Sequence, residues 1–299
     1  MIRLLAPAKV NLYLHVLGQR PDGFHELETL FERISLADEL TLEPAEHRIT
    51  LYCNDPSLTV GPDNLILRAA ALLQETKSTK MGATISLVKQ IPIASGLGGG
   101  SSDAAATLVA LNQLWKLKLP PAKLRELAAQ LGSDVPFFLE PSAFAIGRGR
   151  GERCEVVSGR MPSLWHVLVV PPERLSTKDV YADFAAQRRA GATQTALTPE
   201  TPSITMCLHA LRNGSLGELA KGLLNDLEPV AIRRCPVIHG IHAFLRNNGC
   251  LASLLSGSGS AVFGLFETEA LAINAAKRLR IDHAEWFVRV VTTWTSHEE

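Results

Sequence analysis

IPIASGLGGGSSDAAATL, residues Ile91 to Leu108, runs from an apolar stretch through Gly96, Gly98, Gly99 and Gly100 into two serines, an aspartate and an alanine-rich segment. Each glycine gives up more backbone freedom on folding than any other residue and adds no side chain to a core. The usual return is a loop whose bare amides can approach a ligand closely. The run from Asp103 to Leu108 reads as a helix start, and the amino end of a helix carries unpaired N–H groups and the positive end of its dipole. Together these features suit an anion, most commonly phosphate. The plainer reading is a flexible hairpin or a capping turn with Ser101, Ser102 or Asp103 as the cap. A cap, however, needs one polar side chain and no glycine cluster.

The loop matches none of the commonest phosphate motifs. Gly100 is followed by Ser101, Ser102, Asp103 and Ala104, without the lysine a Walker loop requires. Gly96-Leu97-Gly98 is followed by Gly99 and Gly100, and Ser101 stands where a dinucleotide fingerprint needs its third glycine. The His-Arg-Asp and Asp-Phe-Gly elements of protein kinases are missing as well. A different glycine-rich phosphate loop is required.

Composition narrows the partner. The chain has 299 residues, a formal net charge of +0, 46% hydrophobic and 20% charged residues, which suits two medium domains. Neutral charge gives no electrostatic case for nucleic acid or an anionic membrane. A small-molecule partner is expected. No apolar run approaches the roughly 20 residues of a membrane span, and MIRLLAPAKVNL turns polar too early for a signal peptide. A cytoplasmic location is therefore expected. The 5 cysteines, Cys53, Cys154, Cys207, Cys235 and Cys250, form no Cys-x-x-Cys pair and read as reduced residues. Among the 9 histidines, His239 and His242 share a possible helical face but have no metal-ligand neighbours. No protein metal site is expected from these residues.

Periodicity predicts strands at Ile2–Leu5, Val10–Val16, Ile34–Leu42, Ile49–Tyr52 and Thr84–Val88 in the first half. Helices are predicted at Asn64–Gln74, Thr107–Trp115 and Ala122–Leu131. This half reads as α+β with a mostly antiparallel sheet. A second unit opens with the buried-strand pattern from Trp165 to Val170, ended by Pro171 and Pro172, and residues 191–203 read as a surface loop. Helices are then predicted at Leu216–Leu224, Pro236–Asn247 and Ala270–Leu279, with strands at Ala252–Leu255, Ala261–Leu265 and Trp286–Val291. That alternation suggests helices layered on one sheet.

Two charged residues sit in apolar settings. Lys9, between Ala8 and Val10 at the mouth of a strand, needs a nearby opposite charge if it is buried. Asp134, ahead of Val135-Pro136-Phe137-Phe138, offers one, although by itself it reads as a turn residue bonding its own backbone.

Five segments now stand together: Pro7-Ala8-Lys9-Val10-Asn11-Leu12, Arg20-Pro21-Asp22-Gly23-Phe24-His25, the loop from Pro92 to Ala105, Gly132-Ser133-Asp134-Val135-Pro136-Phe137, and Ser256-Gly257-Ser258-Gly259. In this combination the chain closely resembles the 4-diphosphocytidyl-2-C-methyl-D-erythritol kinase family, a branch of the GHMP kinases (galactokinase, homoserine, mevalonate and phosphomevalonate kinases). The glycine-serine loop alone carries only the superfamily, and Asp22-Gly23-Phe24-His25 points to the cytidyl-diphosphate substrate.

The resemblance implies a two-domain α+β fold, with a ribosomal-protein-S5-like domain over residues 1–160 and a ferredoxin-like α+β domain over residues 161–299. It implies ATP-dependent phosphorylation of the 2-hydroxyl of the methylerythritol moiety in the non-mevalonate isoprenoid pathway. Pro92, Ile93, Ala94, Ser95, Gly96, Leu97, Gly98, Gly99, Gly100, Ser101 and Ser102 would bind ATP, those from Gly96 to Ser102 wrapping its phosphates, with Asn64 and Lys89 near the adenosine. Lys9 and Asp134 would be the catalytic pair, and Mg²⁺ would bridge phosphate oxygens with Ser102 as the nearby side chain. Phe24 and His25 would border the cytosine opposite Tyr181, Asn11 would bond the diphosphate or erythritol end, and Gly257 and Ser258 would border the substrate. The family usually has Tyr where Phe24 stands, and more often Ser-Gly-Thr-Gly than Ser256-Gly257-Ser258-Gly259. Another small-molecule GHMP kinase would lack a reason for Asp22-Gly23-Phe24-His25. An inactive nucleotide-binding regulator would need neither Lys9 nor Asp134.

Overall fold

The computed structural model describes residues 1–189, 191 and 202–295, so most of the surface loop expected over 191–203 lies outside the described residues. Two long antiparallel strands, β1 (Ile2–Gln19) and β2 (His25–Ala45), organise the first half. The two strands expected at Ile2–Leu5 and Val10–Val16 are one, because shifts of register between Pro7 and Ala8, Asn11 and Tyr13, and Val16 and Gly18 absorb the irregularities. Bulges re-aim side chains, and here they flank Lys9 and Asn11.

β2 is long enough to take different neighbours along its length. Its second half pairs with β4 (Gly82–Val88), which pairs in parallel with β3 (Ile49–Cys53). Its first half pairs with β5 (Phe144–Gly149), itself paired with β6 (Arg153–Val156). Helices α1 (Leu65–Lys77), α2 (Gly99–Leu114) and α3 (Pro121–Leu131) pack apolar residues such as Ile66, Leu108 and Leu127 against Leu40, Leu42 and Ile85 of the sheet. Ala104, Ala105 and Ala106 keep α2 slim enough to approach closely.

The second sheet is antiparallel, in the order β11 (Phe287–Thr292), β7 (Trp165–Val170), β10 (Val262–Phe266), β9 (Ala252–Leu255). Along the chain between these strands run α4 (Thr177–Arg189), α5 (Ile204–Asn213), α6 (Leu216–Gly222), α7 (Glu228–Arg234), α8 (Val237–Asn247) and α9 (Glu269–Asp282). Val167 and Val169 face Ile238, Ile241, Ala276 and Leu279 of α8 and α9. Leu168, Val170 and Phe263 face the other way, into a core shared with Val10, Leu12, Leu30 and Ile34 of the first sheet and with Cys207 and Leu211 of α5. Burial on both faces explains the apolar run from Val167 to Val170 in β7. Among the described residues no helix is long and apolar enough to cross a membrane, and all five cysteines are free thiols.

The halves are also joined by chain pairing. The end of the helix expected at Leu216–Leu224 is instead β8 (Leu224–Asn225), which pairs in parallel with Tyr13 and Leu14 of β1. A polar pin lies at the same seam. His166 Nε2 meets Glu32 Oε2 at 2.8 Å with both side chains fully buried, and Thr293 Oγ1 donates to Glu32 Oε1 at 2.6 Å. Thr293 Oγ1 also accepts from the Leu164 amide at 2.8 Å. Thr293→Val would leave a carboxylate oxygen and an amide buried without partners. The variant should lose about 1 to 3 kcal/mol of stability, read as a lower urea midpoint at unchanged slope; an unchanged midpoint would show that the pin is dispensable.

Candidate active site

The glycine loop leaves β4 and enters α2 at Gly98, which takes φ +71° and caps the helix with no side-chain hydrogen bond. The helix therefore begins at Gly99, before the serines and aspartate that the capping reading would use, and Ser102 and Asp103 are buried within its first turns. The first amides of such a helix have no carbonyl to pair with. A cavity of about 440 Å³ opens here, lined by every residue from Pro92 to Ser101 and by Asn64 and Lys89. Ser102 does not line it, and its buried Oγ has no hydrogen-bond partner. Ser57, Leu58 and Thr59, which carry no motif, line the cavity too.

Two of the expected nucleotide contacts have structural duties. Asn64 caps α1, accepting from the Ile66 amide at 2.9 Å while its amide nitrogen donates to Thr59 O at 2.9 Å. The ammonium of Lys89 is paired with Asp38 and, at 2.8 Å, with Asp103. Burial pushes the Asp103 carboxyl up to about 7 against the pull of Lys89.

A second cavity, of about 670 Å³, is lined by all the expected catalytic and acceptor residues: Lys9, Asn11, Phe24, His25, Asp134, Tyr181, Gly257 and Ser258. Gly96 and Gly98 line both cavities. Lys9 Nζ lies 3.4 Å from Asp134 Oδ2 and donates to Asn11 Oδ1 at 2.7 Å. Asn11 in turn donates to Thr29 Oγ1 at 2.8 Å, so both ends of its amide are occupied in aiming the lysine. The Lys9 amide donates to Leu97 O at 2.9 Å, tying this strand to the glycine loop.

The turn between β9 and β10 closes the site from the other sheet. Ser256 Oγ donates to Gly96 O at 3.0 Å and the Ala261 amide donates to Ser95 O at 3.0 Å. A Cβ on Gly96, at φ +83°, would stand 2.2 Å from Ser256 O. Asn225 holds the same turn by donating to Leu255 O and Gly257 O, each at 2.8 Å.

At the far end of the larger cavity the expected facing pair of Phe24 and Tyr181 is rearranged. The ring packed on Tyr181 is His25, with centroids 5.1 Å apart, whereas Phe24 is half-exposed with the Arg150 guanidinium 4.8 Å from its centroid. Burial, then Arg188, pushes the His25 imidazole below its ordinary value, and its buried Nε2 has no partner. Burial also raises the Tyr181 phenol. Arg150, Lys178 and Arg189 line this cavity as cations that sequence reasoning passed over; the Gly147-Arg148-Gly149-Arg150-Gly151 run was the available signal for the first. Among the described residues no group of three or more His, Cys, Asp or Glu could hold a metal.

Residues 64–140 match the model of the GHMP kinases N terminal domain, and residues 207–284 match that of the GHMP kinases C terminal. The 4-diphosphocytidyl-2-C-methyl-D-erythritol kinase of Pelotomaculum thermopropionicum is 43% identical over 281 residues, 94% of each chain. That of Citrifermentans bemidjiense is 39% identical over 293 residues, 98% of this chain and 99% of its own. A crystal structure of 4-(cytidine 5'-diphospho)-2C-methyl-D-erythritol kinase superposes with a TM-score of 0.79 at 37% identity, covering 98% of this chain and 100% of that one. A homoserine kinase from Cytophaga hutchinsonii, at 19% identity and a TM-score of 0.71 over 98% of this chain and 94% of its own, shares the fold.

The contacts separate two glycines of the loop. Gly96→Ala would force a methyl into a backbone carbonyl at positive φ, whereas a Cβ at Gly100 meets only Leu65 Cδ1, at 3.7 Å. Gly96→Ala should cost at least about 1 to 3 kcal/mol through strain, and Gly100→Ala should melt as the wild type does. Equal melting temperatures for the two variants would refute the docking of the loop on Ser256.

Proposed function

The chain belongs to the 4-diphosphocytidyl-2-C-methyl-D-erythritol kinase family of the GHMP kinases, and on that footing we propose that it transfers the γ-phosphoryl group of ATP to the 2-hydroxyl of 4-diphosphocytidyl-2-C-methyl-D-erythritol. The observation that carries this reading is the Lys9–Asp134 pair, 3.4 Å apart in a cavity that meets the glycine-loop cavity at Gly96 and Gly98. ATP phosphates would lie against the first amides of α2, and the acceptor hydroxyl would lie beside Asp134. A donor and an acceptor can then meet in line across the two glycines, which is most of what phosphoryl transfer asks of a protein.

Asp134 would take the hydroxyl proton or hold the oxygen in line. Lys9, fixed by Asn11 on one side and Asp134 on the other, keeps one ammonium hydrogen for the charge that develops on the transferring group. Magnesium, when bound, neutralises charge across the phosphate oxygens. The buried, unpartnered hydroxyl of Ser102 fits such an ion, whereas Asp38 has both oxygens engaged within the protein and Asp103 gives one of its two to Lys89. At the other end, the unpartnered Nε2 of His25 supports recognition of a base edge, and the rings of Tyr181 and Phe24 supply flat surfaces for the cytosine.

Turnover of ATP with the cytidyl-diphosphate alcohol, against homoserine and mevalonate, tests the assignment. Phosphorylation of the first alone supports it; turnover with either of the others, or with none, overturns it. Asp134→Asn should lower kcat about 100- to 10,000-fold while ATP still binds, and wild-type turnover would remove Asp134 from the chemistry.

Tyr181→Ala should raise the acceptor KM by the equivalent of about 1 to 3 kcal/mol of stacking, with kcat and the ATP KM little changed and Tyr181→Phe nearly neutral. An unchanged acceptor KM would return Tyr181 to ordinary packing. Because His25 resists protonation, the acceptor KM should stay flat as pH falls through 6.5, the ordinary histidine value. A rise centred at or above that pH would contradict the assignment of a neutral imidazole.

A further inference from the structure

Between Gly96 and Gly100 the loop carries a single side chain, that of Leu97, with which to fix its shape, yet both ends of the loop meet one buried cluster. Asp38 on β2, fully buried, accepts from the amides of Gln90 and Ile91 at 2.6 and 2.8 Å through Oδ1 and pairs with Lys89 through Oδ2. Asp103, in the early part of α2, pairs with the same ammonium at 2.8 Å. Lys89 and Asp103 are each almost wholly buried. We propose that Lys89, with Asp38 and Asp103, is a positioning clamp that holds the entry and exit of the glycine loop in register, and that it acts on ATP through the loop rather than by touching the nucleotide.

Three observations favour the clamp. The cluster spans the loop, with Asp38 and Lys89 at its entrance and Asp103 at its exit. The ammonium also lies directly under the loop, since a Cβ on Gly99 would stand 2.9 Å from Lys89 Nζ. Gly99 supplies the first helical residue of α2, so a shift of the ammonium would move the amides that face the phosphates. Third, Asp38 does not line the nucleotide cavity and has no atom to offer a ligand: both of its oxygens are engaged within the protein. A direct adenosine contact would give Lys89 a role but leave the two buried carboxylates unexplained. Burying a carboxylate is unfavourable unless it is paired.

The inference rests on the loop being the phosphate site, and its test separates the two ideas. Inorganic tripolyphosphate and adenosine are used as competitors of ATP in turnover by the full-length enzyme. Inhibition of the wild type by tripolyphosphate, competitive with ATP, establishes the loop as the phosphate site; failure of that inhibition removes the premise itself. Given the premise, Lys89→Met and Asp38→Asn should each weaken tripolyphosphate about tenfold or more, as expected for disturbing a charge-assisted network. Adenosine inhibition and the acceptor KM should stay near wild type, and Lys89→Arg should recover part of the loss by restoring the charge. Weakened adenosine with unchanged tripolyphosphate would make Lys89 a direct nucleotide ligand and overturn the clamp. Equal losses for both competitors, or an Asp38→Asn enzyme indistinguishable from wild type, would overturn it as well. If Lys89→Met does not fold, Asp38→Asn and Lys89→Arg still decide the matter, because each keeps a polar group of similar size in the cluster.

Discussion

The stretch from Gly96 to Gly100, glycine at every position but Leu97, has little with which to hold its own shape, and the arrangement of the rest of the molecule follows from that. Its usefulness lies in bare amides, so the groups that fix it must come from outside. The Lys9 amide grips Leu97 O from the first sheet, while Ser256 and Ala261 grip Gly96 O and Ser95 O from the second. Phe138 closes on Gly98 from the turn after α3, where an added Cβ would stand 3.0 Å from its ring. Two sheets are needed because one sheet could hold only one side of such a loop. The seam between them therefore serves as the site.

The same constraint explains where charge is buried. Arg33 donates to Phe137 O and Glu140 O at 2.8 and 2.9 Å, and its guanidinium lies 5.2 Å from the centre of the Phe137 ring. Burial lowers that guanidinium to about 10. The arginine thereby fixes the short turn from Pro136 to Leu139 that follows Asp134. Glu32 and His166 join the sheets in the same manner, by a pair whose partners come from different halves of the chain. Such groups contribute modestly to net stability, but leaving one partner alone is costly. That asymmetry favours a single relative placement of the two halves.

Much of the site was legible because its chemistry is local in sequence. The glycine cluster, a lysine at a strand mouth and an aspartate before Pro136 each declare themselves within a few residues. The residues expected to meet the acceptor and those expected to meet the nucleotide line two adjoining cavities, save Ser102, which turns inward with its helix. What escaped was set by distant partners. Lys89 and Asn64 line the expected cavity but also carry partners the sequence does not show, Asp38, Asp103 and Thr59, and Asn11 lines the other while Lys9 and Thr29 hold both ends of its amide. α4 was missed because Thr177 to Arg189 is mostly polar and buries only Val180, Phe184 and Ala185. β1 was divided at Pro7 because a bulge that absorbs a proline leaves no periodic trace.

β8 has a consequence for how the polypeptide comes together. Only Leu224 and Asn225 pair with Tyr13 and Leu14, and between them lie more than two hundred residues of chain that include five strands of the first sheet and one of the second. Such a contact closes late, since widely separated segments meet only after local structure has formed. Until it closes, the free edge of β1 stays open to adventitious strand pairing. During synthesis the amino-terminal half is therefore an unfinished sheet even after its own strands have been made. The turn that Asn225 anchors beside the glycine loop lies 32 residues further along the chain, so a ribosome-bound fragment can seal the edge of β1 before it can complete the site beside the loop.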